Sequence, residues 1–142
     1  MSRELETEFN VVSTNLADRG YGTTGVDFLK QTELLGDVII TNPPFNLADE
    51  FIRKGFSLRP SYMAMLLPSS FWHAAGPTKR RDDLFRQCTP SRVLPLGFRL
   101  DFENLGRPVM NCSWSIWEPR RVVSKCELLP AARRPWKKGS VS

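Results

Sequence analysis

The chain has 142 residues, of which 41% are hydrophobic and 25% are charged, and its formal net charge is +5. This length and composition indicate one globular domain. No apolar run approaches the roughly 20 residues that a membrane span needs, and residues 1–10 lack the apolar stretch of a signal peptide. The sequence thus shows no sign of a membrane span or a signal peptide, and a cytosolic location is predicted by default.

The first third of the chain alternates between polar turns and apolar runs. It predicts the last turns of a helix at residues 3–8 and a strand at residues 9–16. A glycine-containing loop follows at residues 17–25, and a short turn or helical piece at residues 26–34. Residues 37–41 (DVIIT) then form a continuous apolar run between Gly36 and Pro43. That pattern is typical of a strand buried on both faces, as in a parallel sheet.

The rest of the chain continues the alternation of helix and strand. It predicts helices at residues 45–58 and 78–88 and strands at residues 62–68, 92–98 and 111–118. Asn46 is a candidate cap of the first of these helices and Thr78 of the second. Residues 111–118 alternate between polar and apolar, as a half-exposed or edge strand does.

An alternating order of strands and helices predicts an α/β fold, with a mostly parallel sheet, an edge strand at its end and helices on its faces. Ligands of such sheets bind beyond the carboxyl ends of the strands. The sequence Asn42-Pro43-Pro44-Phe45 follows the strand at residues 37–41 and lies at that end. The turn is therefore a candidate binding site.

The composition of this turn indicates what it can bind. Each proline has a fixed φ and no N–H, so the turn is stiff. The Asn42 side chain and the Pro43 carbonyl are hydrogen-bond acceptors, and Phe45 offers a flat apolar face. Two acceptors beside an aromatic ring suit a planar ring that carries an amino group. Such an amine is a poor nucleophile, and acceptors on its hydrogens would hold its lone pair toward an electrophile and stabilise the positive charge that develops on nitrogen.

The sequence TNPPF after a buried strand resembles the catalytic motif of S-adenosylmethionine-dependent amino methyltransferases, above all the adenine-specific DNA methyltransferases. Residues 11–55, with DRGYG and VDFL, are similar to a small phage and prophage subgroup of that family, and the similarity extends over residues 1–118. Protein glutamine methyltransferases use a similar motif. The resemblance implies a Rossmann-like methyltransferase fold with an antiparallel edge strand, DNA as the partner, and a bacterial host cell as the location.

The resemblance also implies roles for particular residues. Asn42, Pro43, Pro44 and Phe45 would hold the target adenine, flipped out of the duplex. Asp27 would contact the adenine or amine of the cofactor S-adenosylmethionine. Asn15 stands where the family has an acid that binds the cofactor ribose, and an amide lacks the charge-assisted strength of a carboxylate.

Several candidates have simpler interpretations. Asp27 can equally be a turn or cap residue, and Asn15 an ordinary strand-end residue. A solvated turn is favoured for Asp18 and Arg19, and a solvated helix face for the basic residues 79–81. Packing in the core is favoured over a base pocket for the aromatic side chains that follow or lie within the later strands, Phe71, Trp72, His73, Trp114 and Trp117.

The chain lacks the Gly-rich loop between the first strand and first helix that binds the cofactor in the resembled family. We therefore expect a partial methyltransferase domain at residues 1–118, without its first strand and with impaired cofactor binding. Three explanations are an internal start codon, a decayed phage gene, or a partner chain that supplies the missing strand. The lone His73 and the cysteines Cys88, Cys112 and Cys126, which form no Cys-x-x-Cys pair, predict neither a metal site nor a disulfide framework.

The basic excess lies at the C-terminus. Residues 119–142 carry seven basic side chains against one acid, a net charge of +6, whereas the other 118 residues carry 13 against 14, or −1. The composition predicts a disordered tail, which is either an arm for nucleic acid or a solvated tail. The main functional expectation is an adenine-specific DNA methyltransferase, and the rivals are a non-catalytic nucleic-acid-binding remnant and an RNA or protein-glutamine methyltransferase.

Overall fold

The computed structural model describes residues 2–72, 79–102, 106 and 110–118. Within these residues the chain forms three α-helices and four β-strands, separated by turns. In chain order these are α1 (Ser2–Leu5), β1 (Val38–Thr41), α2 (Ala48–Leu58), β2 (Tyr62–Pro68), α3 (Lys79–Gln87), β3 (Arg92–Pro95) and β4 (Cys112–Trp117). Short 3₁₀ turns lie at Phe28–Lys30 and Phe45–Leu47. The protein is therefore of the predicted α/β class.

The four strands form one mixed sheet in the order β1-β2-β4-β3. β1 pairs with β2 in parallel, whereas β4 is antiparallel to both β2 and β3. The prediction of a mostly parallel sheet with an antiparallel edge strand is therefore wrong, because two of these three pairings are antiparallel and β4 lies inside the sheet. β1, β2 and β3 nevertheless run in the same direction, so their carboxyl ends meet at one edge, which we call the carboxyl edge.

The serines of β4 explain why its alternation of polar and apolar residues wrongly indicated a half-exposed or edge strand. Ser113 and Ser115 are buried rather than solvated. The Ser113 hydroxyl forms a hydrogen bond of 2.8 Å with that of Ser69, and Ser115 Oγ accepts one of 2.9 Å from Nε1 of Trp72. Because buried hydroxyls are tolerated when they are hydrogen-bonded, this strand can be interior despite its polar positions.

The core lies between one face of the sheet and the helices α2 and α3. Alternate residues of β2 point to this face, as does Trp117 of β4, whose Nε1 donates a 2.8 Å hydrogen bond to the Cys88 carbonyl. The buried residues of this core are Ala48, Ile52, Met63, Met65, Leu67, Phe71, Trp72, Leu84, Cys88 and Trp117. The packing interpretation of Phe71, Trp72 and Trp117 is thus confirmed, and Trp114 is half-buried on the other face of the sheet. Thr78 and His73 lie outside the described residues.

Helix α2 begins differently from the prediction. Its N-cap position is Leu47, which makes no side-chain capping bond, and Asn46 lies in the preceding 3₁₀ turn. Asp49 and Glu50 in the first turn interact favourably with the helix dipole. The helix ends at Arg59, whose φ of 56° is the left-handed closing conformation that glycine usually adopts.

The strand predicted at residues 9–16 does not form. These residues are irregular, and their only bridge in the described part is a parallel one between Thr14 and Thr23. Phe9, Val12 and Leu16 are 60–68% exposed. An apolar, β-branched run forms a strand when a sheet edge is available to it, and in the described structure these residues pair with no strand of the sheet.

Strand β1 is an edge strand rather than one buried on both faces. It pairs with β2, and no strand pairs with its other side among the described residues. Its first residue, Val38, is 49% exposed. The Asp37 carbonyl accepts from the Ser61 N–H on the β2 side at 2.8 Å. Because neighbouring residues of a strand alternate in direction, the backbone groups of Val38 and Ile40 point to the free side.

Candidate functional site

The four residues after β1 form a turn with alternating exposure. Asn42 and Pro44 are exposed, Phe45 is half-buried, and Pro43 is less than 2% exposed. Pro43 therefore anchors the turn, while Asn42 projects from the carboxyl edge, one residue beyond the pairing of Thr41 with Met65. The sequence predicts this outward placement of the amide, and the prolines hold it with little backbone freedom.

The turn does not leave all of its carbonyls free. The Pro44 carbonyl accepts a hydrogen bond of 2.9 Å from the Leu47 N–H and so closes the 3₁₀ turn Phe45–Leu47. The Pro44 carbonyl is thus used within the chain. The remaining acceptors at this site are the Asn42 side chain and the Pro43 carbonyl, for which the described structure records no hydrogen bond.

Phe45 has an aromatic neighbour that the sequence did not indicate. The ring of Phe102 packs at a steep angle against that of Phe45, with ring centroids 5.9 Å apart and an interplanar angle of 75°. Phe102 is 47% exposed and belongs to the connection between β3 and β4. The site is thus an amide, a carbonyl and two phenyl rings at the carboxyl edge.

The two candidate cofactor residues lie together in the N-terminal segment. The Asn15 carbonyl accepts a hydrogen bond of 3.0 Å from the N–H of Val26, the residue before Asp27. Asp27 caps the 3₁₀ turn that follows it, since its Oδ1 accepts from the Leu29 N–H at 3.0 Å, and its Oδ2 lies 3.8 Å from Lys30 Nζ. The simpler interpretation of Asp27 as a cap is confirmed, although a carboxylate retains further acceptor positions.

The two groups of residues are connected through α2. Phe28, next to Asp27, stacks on Phe51 of α2 with ring centroids 4.9 Å apart. Lys54 of the same helix donates from Nζ to the Gln31 carbonyl at 2.9 Å. Since α2 follows directly on the Asn42–Phe45 turn, the helix holds the N-terminal segment and the turn in one structure.

The glycines of residues 20–25 do not form a cradle for a ligand. Gly22, at φ +76°, lies against the Ser13 backbone, where a Cβ would be 2.6 Å from the Ser13 carbonyl oxygen. Gly20 and Gly25 have positive φ but nothing within 4 Å of an added Cβ. Asp18 Oδ1 accepts from the Gly20 N–H at 2.8 Å, which confirms an exposed turn. These glycines are required by turn geometry and backbone contact.

Other chemistry is sparse in the described residues. They contain no group of three or more His, Cys, Asp or Glu side chains that could hold a metal ion. Burial raises the pKa of the Cys88 and Cys112 thiols, which are free and buried. The side chains of residues 79–81 and the basic tail lie outside the described residues. No helix in the described structure is long and apolar enough to cross a membrane.

The fold and site define an α/β protein with a four-stranded mixed sheet and a polar–aromatic turn at its carboxyl edge. Comparisons with protein-family models, with curated proteins and with solved structures find no match to this chain.

Proposed function

We propose that this chain binds the exocyclic amine of a flipped adenine, as the base-binding part of an adenine-specific DNA methyltransferase that uses S-adenosylmethionine. The observation that carries the proposal is the placement of Asn42 and Phe45. An exposed amide and a half-buried ring flank the buried Pro43 at the end of a strand. An adenine amine needs two acceptors and its ring needs an apolar face, and this turn offers both.

The chain's own residues would act by positioning. The Asn42 side-chain oxygen and the Pro43 carbonyl would each accept one hydrogen of the amine, which orients its lone pair and stabilises positive charge on nitrogen in the transition state. Phe45 would stack on the purine, and Phe102 would support Phe45 from the side. No general base is needed at this step, because the amine can lose its proton after it has been methylated.

Two described residues have side chains suited to the adenosine part of the cofactor. The Asn15 carbonyl is bonded to Val26, the residue before Asp27, and the side chains of Asn15 and Asp27 both carry oxygen acceptors suited to hydroxyl and amino groups. Gly22 lies against the Ser13 backbone, and the Gly20 N–H is bonded to Asp18, so these two glycines serve the turn. When bound, the cofactor supplies an electrophilic methyl group. This chain would thus hold the amine, and calorimetry measures its affinity for the cofactor.

The activity is tested with S-adenosylmethionine carrying a tritiated methyl group and a random-sequence duplex DNA library. We expect label in N6-methyladenine, lost in Asn42→Ala and kept in Asn46→Ala, which removes another exposed amide four residues further on. RNA of matched sequence and a glutamine-containing peptide test the other substrates. Label in either of these instead of DNA would reassign the substrate.

The rival function is nucleic-acid binding without catalysis. If the wild-type chain transfers no label, yet binds DNA, the non-catalytic nucleic-acid-binding function is the correct one. Calorimetry with S-adenosylmethionine separates the two directly, because the remnant would show no heat at millimolar ligand and the enzyme would show binding.

A further inference from the structure

After β3, the chain contains two more residues than can pair in a regular antiparallel ladder with the residues before β4. The register continues from Pro95 opposite Ser113 to Leu96, whose N–H donates to the Cys112 carbonyl at 3.0 Å. An uninterrupted ladder would place residue 98 opposite Met110. Instead Leu100 pairs with Met110, with N–H to carbonyl distances of 3.0 and 3.4 Å. Residues 97–99 therefore leave the ladder.

The opposite strand stays regular at this point. Residue 111 is the single residue opposite the three that leave, and its carbonyl accepts from the Ser69 N–H at 2.9 Å. Asn111 thus continues the pairing toward the end of β2 while residues 97–99 project away. The result is a β-bulge, a feature that redirects side chains and is common beside active sites.

The bulge exposes an aromatic ring next to a cation. Gly97, Phe98 and Arg99 are all exposed, and Phe98 is 64% exposed, more than Phe102. Gly97 has nothing within 4 Å of an added Cβ, so the bulge is not packed against the rest of the described structure at that point.

The path of the chain places this bulge beside the candidate site. Leu96 lies at β3, and Phe102 contacts Phe45, which follows β1 at the other side of the sheet. Leu100 still pairs with Met110, so the chain turns toward Phe45 only after the bulge. At most four residues separate Phe98 and Arg99 from Phe102, which is about 14 Å of extended chain, so both residues lie near the candidate site.

We propose that Phe98 and Arg99 form a DNA contact beside the adenine site, in which Phe98 stacks on an exposed base face and Arg99 binds a backbone phosphate. Every nucleobase has a face that an aromatic ring can stack on, so this contact needs no particular sequence. The proposal deepens the proposed function and rests on it for the neighbouring flipped adenine. The space that a flipped base leaves in the duplex is where an exposed phenyl ring would insert.

The contact is tested on DNA that contains no adenine, so that the adenine site does not enter the measurement. Fluorescence anisotropy of the full chain would use a labelled G·C duplex, the same duplex with one abasic site, and single-stranded oligo-dC. Phe98→Ala is expected to weaken binding to the abasic duplex and the single strand at least fivefold. Phe9→Ala removes an equally exposed ring, 68% against 64%, and is expected to change binding less than twofold.

The shape of the side chain separates stacking from a general apolar contact. Phe98→Trp should keep or improve binding, because indole offers a larger flat face, whereas Phe98→Leu should behave like Phe98→Ala. Arg99→Gln should lower the slope of log affinity against log salt by about 1, the contribution of one phosphate. Arg19→Gln, an exposed arginine of the N-terminal turn, should leave the slope unchanged.

A deletion variant tests whether the loss of DNA binding is caused by unfolding. Removing Phe98 and Arg99 brings Leu100 into the ladder position opposite Met110, so the hairpin becomes regular and should melt at or above the wild-type temperature. Its DNA binding should fall as in Phe98→Ala. Unchanged binding in both variants, or wild-type protein that binds none of the three DNAs, would overturn the proposal.

The outcomes distinguish this proposal from the proposed function. Loss of binding on Phe98→Ala without any methyl transfer by the wild type supports the contact and contradicts the enzyme. Methyl transfer that survives Phe98→Ala with unchanged DNA affinity supports the enzyme and contradicts the contact. Weakened DNA binding in Phe98→Trp as well as in Phe98→Leu and Phe98→Ala would contradict stacking of Phe98 on a base.

Discussion

The Phe102 ring packs at a steep angle against the Phe45 ring, with centroids 5.9 Å apart, although 57 positions separate them in sequence. Phe45 follows β1, and Phe102 follows β3, two strands at opposite sides of the sheet. The connection that carries Phe102 therefore folds back over the carboxyl edge. This contact joins the rigid turn after β1 to the connection that also carries the bulge at residues 97–99.

Replacing Phe102 by alanine should weaken adenine binding more than it weakens the fold. An aromatic pair contributes about 1 kcal/mol, which corresponds to a roughly fivefold increase in Kd if Phe102 holds Phe45 for stacking. Because Phe102 is 47% exposed, the free energy of unfolding should change by about 1 kcal/mol or less. NMR titration with adenosine measures the first and urea denaturation the second. Equal adenosine affinity in Phe102→Ala and Phe9→Ala would contradict this support role.

Gly55 should be required by the packing of α2 on the sheet. A Cβ at this position would overlap Sδ of Met63, a core residue that is 1% exposed. Overpacking of this kind costs about 1–3 kcal/mol, partly offset by the roughly 1 kcal/mol by which alanine favours a helix. Gly36→Ala is the matched control, since nothing lies within 4 Å of its added Cβ. Urea midpoints should fall for Gly55→Ala only, and a parallel fall in both would show that helix packing is not the cause.

The hydrogen bond between Trp72 and Ser115 should be a measurable part of core stability. Trp72→Phe would leave the Ser115 hydroxyl, which is 0% exposed, without its donor at 2.9 Å. An unsatisfied buried group and the lost volume together cost about 2–4 kcal/mol.

The double variant Trp72→Phe/Ser115→Ala tests the origin of that loss. It should be less destabilised than the sum of the single variants by about 1 kcal/mol, since it removes the unsatisfied hydroxyl. Strict additivity in a double-mutant cycle would mean that the hydrogen bond contributes nothing beyond packing.

The buried thiols should make the fold sensitive to alkaline pH. Burial raises the pKa of Cys88 and Cys112 above the ordinary thiol value of 9.0, so the folded protein favours the neutral thiol. The stability that depends on these thiols is fully present below pH 9 and is lost as the pH rises through the raised values. In a Cys126→Ser background, urea midpoints from pH 8 to 10.5 should decline more steeply than in the same background with Cys88→Ala added.

Thiol reactivity checks the same point independently. At pH 8 the Cys126→Ser protein should react with a disulfide reagent only as fast as it unfolds, and at once in urea. Fast reaction of the native protein would show that the two thiols are accessible and that burial does not raise their pKa.

Local patterns predicted the elements whose partners are close in the chain. The apolar run at residues 62–68 became β2 with those bounds, and the helical spacing after Phe45 became α2. The place of β4 inside the sheet could not be predicted, because serines in a strand usually indicate a solvent-facing side. Only the fold brings Ser69 and Trp72 to the positions where they form hydrogen bonds with Ser113 and Ser115.

The candidate site was predictable only where it is formed by residues that are close in sequence. The Asn42–Phe45 turn is a local feature of sequence, and its stiffness follows from the prolines. The contribution of Phe102 depends on a long connection that folds across the sheet. The sequence of this connection has no periodic pattern from which its path could be predicted. Residues 9–16 failed as a strand because β-branched composition favours extended backbone but does not provide a neighbouring strand.

The most direct test of the central claim compares adenosine with purine riboside, which lacks the exocyclic amine, by titration of the ¹⁵N-labelled chain. The account predicts that adenosine shifts the Asn42 side-chain amide and the Phe45 N–H, and binds at least about fivefold more tightly because of the two amine hydrogen bonds. Asn42→Ala should remove the difference, and Asn42→Asp, which keeps an acceptor, should retain it. Equal affinity for the two nucleosides, unaffected by Asn42→Ala, would contradict the claim that this turn recognises an amine.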